Sequence, residues 1–215
     1  MSRAVIFANG SLPDPEPARA LLRADDVLLA ADGGSRHARA LGLNPAVIVG
    51  DLDSLDPSFR PLIDSGQVEV ILYPGDKDET DLELALDYAV EHNIQEVLIV
   101  GALGGRLDQT LGNLALLAAP RLAEFALRCD DGLEEVFFVR NQSRVRGAAQ
   151  DIVSLIPWGG QVSGVSTAGL RWPLRAETLY PEKTRGISNE LLGESATISI
   201  ESGLLLVVHR RNRKS

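Results

Sequence analysis

Ala46-Val47-Ile48-Val49-Gly50-Asp51-Leu52-Asp53-Ser54 opens the decisive stretch of this chain; after a second apolar run, Val68 to Tyr73, it continues as Asp76-Lys77-Asp78-Glu79-Thr80-Asp81 into a periodic segment. Unbroken apolar runs of this length that stop at glycine or acid mark strands buried on both faces, as in a parallel sheet. In the periodic segment, Leu82, Ala85, Leu86, Ala89 and Val90 recur at helical spacing, and Thr80 with Glu83 forms a capping-box pattern at its start. Strand, polar turn and helix in that order make an α/β unit.

The same pattern extends on both sides. Val5 to Ala8, Val27 to Ala31 and Val97 to Val100 read as further buried strands. Ser35 to Leu43 reads as a short helix, and Leu107, Leu111, Leu114, Ala115 and Ala118 mark another that Pro120 ends. Pro13-Asp14-Pro15-Glu16-Pro17 is a loop whose last proline can open a helix. Beyond Gly132 the helical period disappears: Val136 to Val139, Ile152 to Ile156, Val162 to Val165, Ala196 to Ile200 and Leu204 to Val208 are β-branched or aromatic runs between turn signals. Ser202-Gly203 between the last two predicts a hairpin. The fold class is therefore α/β: a mainly parallel, Rossmann-like domain over residues 1–131, then a smaller all-β sandwich over residues 132–215.

Composition narrows the function. The chain has 215 residues, 45% hydrophobic and 24% charged, with a formal charge of −9, which argues against nucleic acid or an anionic membrane as partner. Cys129 is the single cysteine, so no internal disulfide framework exists, and a reducing cytoplasm is the simplest compartment. The run Val5 to Ala8 is too short for a signal peptide, and no stretch approaches the ~18 apolar residues of a membrane span. The basic end, Arg210 to Lys214, reads as a solvated, frayed tail.

Four strands lead into glycine-containing polar turns: Asn9-Gly10, Asp32-Gly33-Gly34, Gly50-Asp51-Leu52-Asp53 and Gly101-Ala102-Leu103-Gly104-Gly105. In a parallel sheet these turns share one edge, where ligands bind, and glycines there let backbone approach a ligand. Nine acidic residues lie from Asp51 to Asp81, against only Arg60 and Lys77. Asp51 and Asp53, spaced i and i+2, can face one ion, and Asp81 starts the next helix. Clustered carboxylates favour a hard divalent cation, with Mg2+ the natural candidate. Solvated acidic loops are the alternative, since a carboxylate at a helix N-terminus is worth roughly 0.3–1 kcal/mol without any function. His37 and His92 are expected on exposed helix faces, so zinc or Cys/His chemistry is disfavoured and phosphoryl transfer favoured.

Ala31-Asp32-Gly33-Gly34, Gly50 to Ser54, Asp76 to Asp81 and Gly104-Gly105-Arg106-Leu107-Asp108-Gln109 resemble, in order and spacing, the thiamine pyrophosphokinase family. Gly169-Leu170-Arg171-Trp172-Pro173-Leu174, Gly186-Ile187-Ser188-Asn189-Glu190 and Ser202 to Val208 are similar to that family's thiamine-binding β domain. The resemblance implies transfer of the diphosphate of ATP to the hydroxyethyl oxygen of thiamine, giving thiamine diphosphate and AMP. By it, Asp51, Asp53 and Asp81 would hold Mg2+ with Asp32 nearby; Asn9, Gly33, Gly34, Lys77, Arg106, Asp108 and Gln109 would place ATP. Trp172, Ser188 and Asn189 would meet thiamine, across a homodimer interface. The segment Pro181 to Arg185 is more charged than the family pattern. A diphosphokinase for a hydroxymethylpterin, and a non-catalytic thiamine or nucleotide sensor, remain as alternatives.

Overall fold

The computed structural model describes residues 3–212. The chain divides between Gly132 and Leu133 into two compact units.

The first unit holds β1 (Arg3–Phe7), β2 (Val27–Ala31), β3 (Val47–Gly50), β4 (Glu69–Leu72), β5 (Glu96–Val100) and β6 (Ala126–Asp130). They lie in the order β6-β5-β1-β2-β3-β4, and every pairing among them is parallel. Between them run α1 (Glu16–Arg19), α2 (Ser35–Ala40), α3 (Arg60–Asp64), α4 (Asp81–Glu91) and α5 (Leu107–Ala118). The chain steps outward from β1 to β4, then returns to lay β5 on the far side of β1. The strand order thus reverses between β1 and β5, which opens a crevice at the carboxyl ends of those strands. Val5, Phe7, Ala30, Ile48, Leu98 and Val100 form a core with Leu41 and Phe59 from the helical layer. Each large side chain buried this way is worth about 1.5–3 kcal/mol.

Three expectations for this unit change. The run around β4 is only half-buried, with Leu72 67% exposed, because β4 ends the sheet and has a partner on one side alone. On α5 the helix is where its spacing puts it, but Leu107 and Leu111 are exposed while Asn113 and Leu117 are buried. Periodicity sets the helix; the sheet chooses the face. His37 is buried rather than exposed, with Nε2 3.0 Å from the Gly10 carbonyl. Burial holds its imidazole below the usual histidine range. His92 is exposed as expected, stacked on Tyr88.

The second unit contains β7 (Glu134–Val139), β8 (Gln142–Arg146), β9 (Ile152–Pro157), β10 (Val162–Ala168), β11 (Glu177–Leu179), β12 (Asn189–Glu190), β13 (Ser195–Ser199) and β14 (Leu205–Arg210). Its strands form two antiparallel arrays, β12-β9-β14-β7 and β11-β10-β13-β8. Alternation along β9 buries Val153 and Leu155 against Val165, Ile198 and Val207 in one shared core. The hairpin expected at Ser202-Gly203 does not form: β13 pairs with β10 and β8, whereas β14 pairs with β7 and β9. The two strands bury Ile198 and Leu205 in the same core from opposite sheets. An alternating pattern fixes which face is buried, not which strand is the neighbour. At the chain's end Arg210 completes β14, and Asn212 N–H donates to Asp151 at 2.8 Å, so these residues are not frayed. Arg213 and Lys214 lie outside the described residues.

Candidate active site

The acidic turns meet above β2 and β3. One carboxylate oxygen each from Asp32, Asp51 and Asp53 lies within 4.8 Å of the others. Local hydrogen bonds aim them: Ser54 N–H donates to Asp32 Oδ2 at 3.0 Å, Asp53 N–H to Asp51 Oδ1 at 3.2 Å, and Ser54 Oγ to Asp53 Oδ1 at 2.8 Å. Leu52, between two of the acids, adopts φ +65° and packs on the core, so both neighbours point outward. Asp32 is 2% exposed, sits at φ +37°, and its buried Oδ1 has no hydrogen-bond partner. Burial first, then the charges of Asp81 and Asp53, push its carboxyl up to about 6, against the lowering effect of Ser54 N–H. Such an orphaned anionic oxygen beside two further carboxylates suits a hard cation with oxygen ligands.

Asp81 lies on the other side of Gly50. A Cβ on Gly50 would stand 2.8 Å from Asp32 Cβ and 3.0 Å from Asp81 Oδ1, so glycine there lets the two acids close in. Lys77 Nζ is 2.9 Å from Asp81 Oδ1. That contact foremost, with the charges of Asp51 and Asp32, keeps the Lys77 ammonium protonated above the usual lysine range. Asp81 is thus adjacent to the three-acid cluster and already engaged by a cation.

Beside these acids a cleft of about 340 Å³ opens at the reversal point of the sheet, its lining including Asn9, Gly10, Lys77, Asp81, Arg106 and Gln109. Glu79, Thr80 and Asn113 also reach it. Sequence reasoning missed them, although Arg106, Gln109 and Asn113 follow one helical face at i, i+3 and i+7. Asp108 does not line the cleft; it pairs with Arg106 at the surface, as neighbours at a helix start commonly do. Gly33 and Gly34 are buried, and their missing side chains serve packing: a Cβ on Gly34 would lie 1.9 Å from the Phe7 carbonyl oxygen. The Asn9-Gly10 turn is held from beneath by Arg36 Nη2, which donates to both its carbonyls at 3.1 and 3.0 Å, and by His37.

In the second unit Trp172, Leu174, Thr184, Arg185, Ile187 and Asn189 line a cavity of about 210 Å³ with Gly186. Trp172 is 49% exposed. Asn189 is buried and its amide is spent on the main chain of Trp172: Oδ1 accepts from Trp172 N–H at 3.0 Å, and Nδ2 donates to Trp172 O at 2.7 Å. Ser188 sits at φ +58° with its N–H donating to Ser154 Oγ, and its side chain does not line the cavity. In the charged segment before it, Arg185 is tied to Glu177 at 3.0 and 3.1 Å.

Fold and sites together define a two-unit protein of the α/β class, with an acidic, cation-ready cleft at a sheet reversal and a tryptophan-lined cavity in an antiparallel β unit. Two family models match it: "Thiamin pyrophosphokinase, catalytic domain" over residues 18–129, and "Thiamin pyrophosphokinase, vitamin B1 binding domain" over residues 141–205. The chain belongs to the thiamine pyrophosphokinase family. It is 29% identical over 182 residues to the thiamine pyrophosphokinase of Bacillus subtilis, covering 84% of this chain and 85% of that one. A solved thiamin pyrophosphokinase from Geobacillus thermodenitrificans superposes with a TM-score of 0.84 at 28% identity, over 100% of this chain and 99% of that one. The solved Bacillus subtilis structure gives 0.86 at 24% identity, over 99% and 100%, a likeness of fold.

Proposed function

We propose that the protein transfers the diphosphoryl group of ATP to the hydroxyethyl oxygen of thiamine, yielding thiamine diphosphate and AMP. The observation that carries this is the three-acid cluster of Asp32, Asp51 and Asp53 beside a cleft lined by Lys77, Arg106 and Gln109, in a chain of this family. The new bond joins the alcohol oxygen to the β-phosphorus. The bond that breaks is the one from that phosphorus to the bridging oxygen, which leaves with AMP, while the alcohol proton passes to an aspartate of the cluster.

In this reading Asn9, Lys77, Arg106 and Gln109 place the nucleotide, and the N–H groups at the start of α5 favour its phosphates. Magnesium is the proposed cofactor: Asp51, Asp53 and Asp81 by the resemblance, with Asp32 added by its orphaned oxygen, would hold it. When bound it supplies charge neutralisation on the phosphate chain. Lys77 and Arg106 add positive charge at the leaving side, and fixing the alcohol in line with the phosphorus removes several kcal/mol of barrier without a strong base. Asp108 supports Arg106 from the surface rather than meeting ATP itself.

Trp172 is proposed to stack thiamine in the second unit, with Asn189 holding the tryptophan's main chain and Ser188 shaping the turn. We propose a homodimer with thiamine bound at its interface, as the resemblance implies, and a cytoplasmic location. The buried free thiol of Cys129 and the absence, among the described residues, of any helix long and apolar enough to cross a membrane are compatible with that compartment.

The test is incubation of the purified protein with ATP, Mg2+ and thiamine, followed by chromatography. AMP and thiamine diphosphate in equal amounts are expected. ADP with thiamine monophosphate would instead make it an ordinary kinase, and saturable thiamine binding without product would make it a sensor.

A further inference from the structure

The ring of Trp172 already carries a cation. The guanidinium carbon of Arg171 lies 4.8 Å from the ring centroid, within the range of a cation–π contact. Trp172 lines the 210 Å³ cavity, Arg171 is not among its lining residues, and the guanidinium covers one face of the ring. A ligand that stacks on Trp172 is left the other face.

That arrangement is unfavourable for a cationic ligand unless the charge behind the ring is cancelled. An aromatic face attracts a cation through its quadrupole, and a second cation on the opposite face works against that attraction at a separation too short for full screening. Glu190 supplies the cancellation. Its Oε2 accepts from Arg171 Nη1 at 2.8 Å, and its main-chain carbonyl accepts from Arg171 N–H at 2.9 Å. The register is fixed by the neighbouring Asn189, which grips the main chain of Trp172 and also accepts from Glu190 N–H at 2.9 Å. The arginine that does line the cavity, Arg185, is matched in the same way by Glu177.

We propose that Glu190 is a specificity-determining residue: by neutralising Arg171 behind Trp172, it allows the open face of the ring to accept a permanently cationic heterocycle. This deepens the reading of thiamine as acceptor and rests on it, since the thiazolium is the cation concerned. Glu190 does not touch the ligand; it acts through Arg171 and the ring.

The experiment is calorimetric titration of the intact protein with thiamine and with deazathiamine, its neutral isostere, in which carbon replaces the charged ring nitrogen. Glu190→Gln is expected to weaken thiamine by at least about five-fold while leaving the neutral isostere within about two-fold. The double variant Arg171→Gln with Glu190→Gln, which removes both charges, is expected to return thiamine to within about two-fold of the parent. Equal weakening of both ligands would reveal a merely structural role and overturn the proposal, as would unchanged thiamine affinity in Glu190→Gln. A parent protein that binds neither ligand would bring down the acceptor assignment itself, whereas a parent that binds thiamine and a Glu190→Gln variant that matches it would remove only Glu190.

Discussion

Asp32, a member of the acidic cluster, and Leu52, between its other two members, hold positive φ angles, a conformation uncommon for non-glycine residues, where three carboxylate oxygens converge. Replacing Asp51 by Asn keeps its shape and removes its charge, so turnover should be abolished while the melting temperature stays within a few degrees; near-normal turnover would take Asp51 out of the proposed metal site. A different buried acid serves stability. Asp151 accepts from Ala148 N–H and Asn212 N–H at 2.8 Å each, and lies 3.0 Å from His209 Nε2, whose Nδ1 faces Glu135 at 3.2 Å. Burial alone would raise the Asp151 carboxyl, but these donors outweigh it and hold the group below the usual carboxylate range. An acid with a depressed folded pKa stabilises above its unfolded value and loses that contribution as pH falls through the folded one. Asp151→Asn should therefore cost about 2–3 kcal/mol at pH 7, a difference that shrinks below about pH 4 in thermal melts. A gap constant with pH would assign the loss to packing.

At the scale of elements, the glycine turns do less for the ligand and more for the sheet than their sequence suggests. The place of a Cβ on Gly10 is taken by the Gly101 carbonyl at 2.4 Å, and on Gly34 by the Phe7 carbonyl at 1.9 Å, so the strand ends close on one another and thereby bring their side chains to one cleft. Gly34→Ala should cost about 3 kcal/mol or more in denaturant unfolding, because the obstacle is backbone of β1. Gly112, inside α5, has open space around its missing Cβ, and Gly112→Ala should stabilise by about 0.5–1 kcal/mol. If both behaved alike, close approach would not explain Gly34. The helix that follows the acidic loop begins where the capping pattern puts it, with Thr80 Oγ1 accepting from Glu83 N–H at 3.2 Å, but the Glu83 carboxylate accepts from Arg121 at 3.0 Å, so only half of the capping box forms.

At the scale of the molecule, a thiamine site shared across the proposed homodimer would make activity depend on association. Specific activity should fall on dilution below the dimer dissociation constant; activity per subunit that persists down to monomer, verified by sedimentation, would contradict a shared site. Much was legible before the fold. Unbroken apolar runs ending in glycine and acid gave the parallel strands and the edge where Asp32, Asp51, Asp53 and Asp81 gather, because period and turn chemistry are local properties of the chain. The loss of helical period after Gly132 gave the β unit for the same reason. Tertiary structure alone decided that β13 and β14 face each other across a core instead of pairing, that α5 turns Asn113 inward and Leu111 out, and that His37 is buried under Gly10. It also decided that Asp81 meets Lys77, and that Arg171 stacks on Trp172 under the charge of Glu190. Those outcomes depend on which distant segment comes to lie alongside, and a pattern of spacing records which face a residue presents without recording what will cover it.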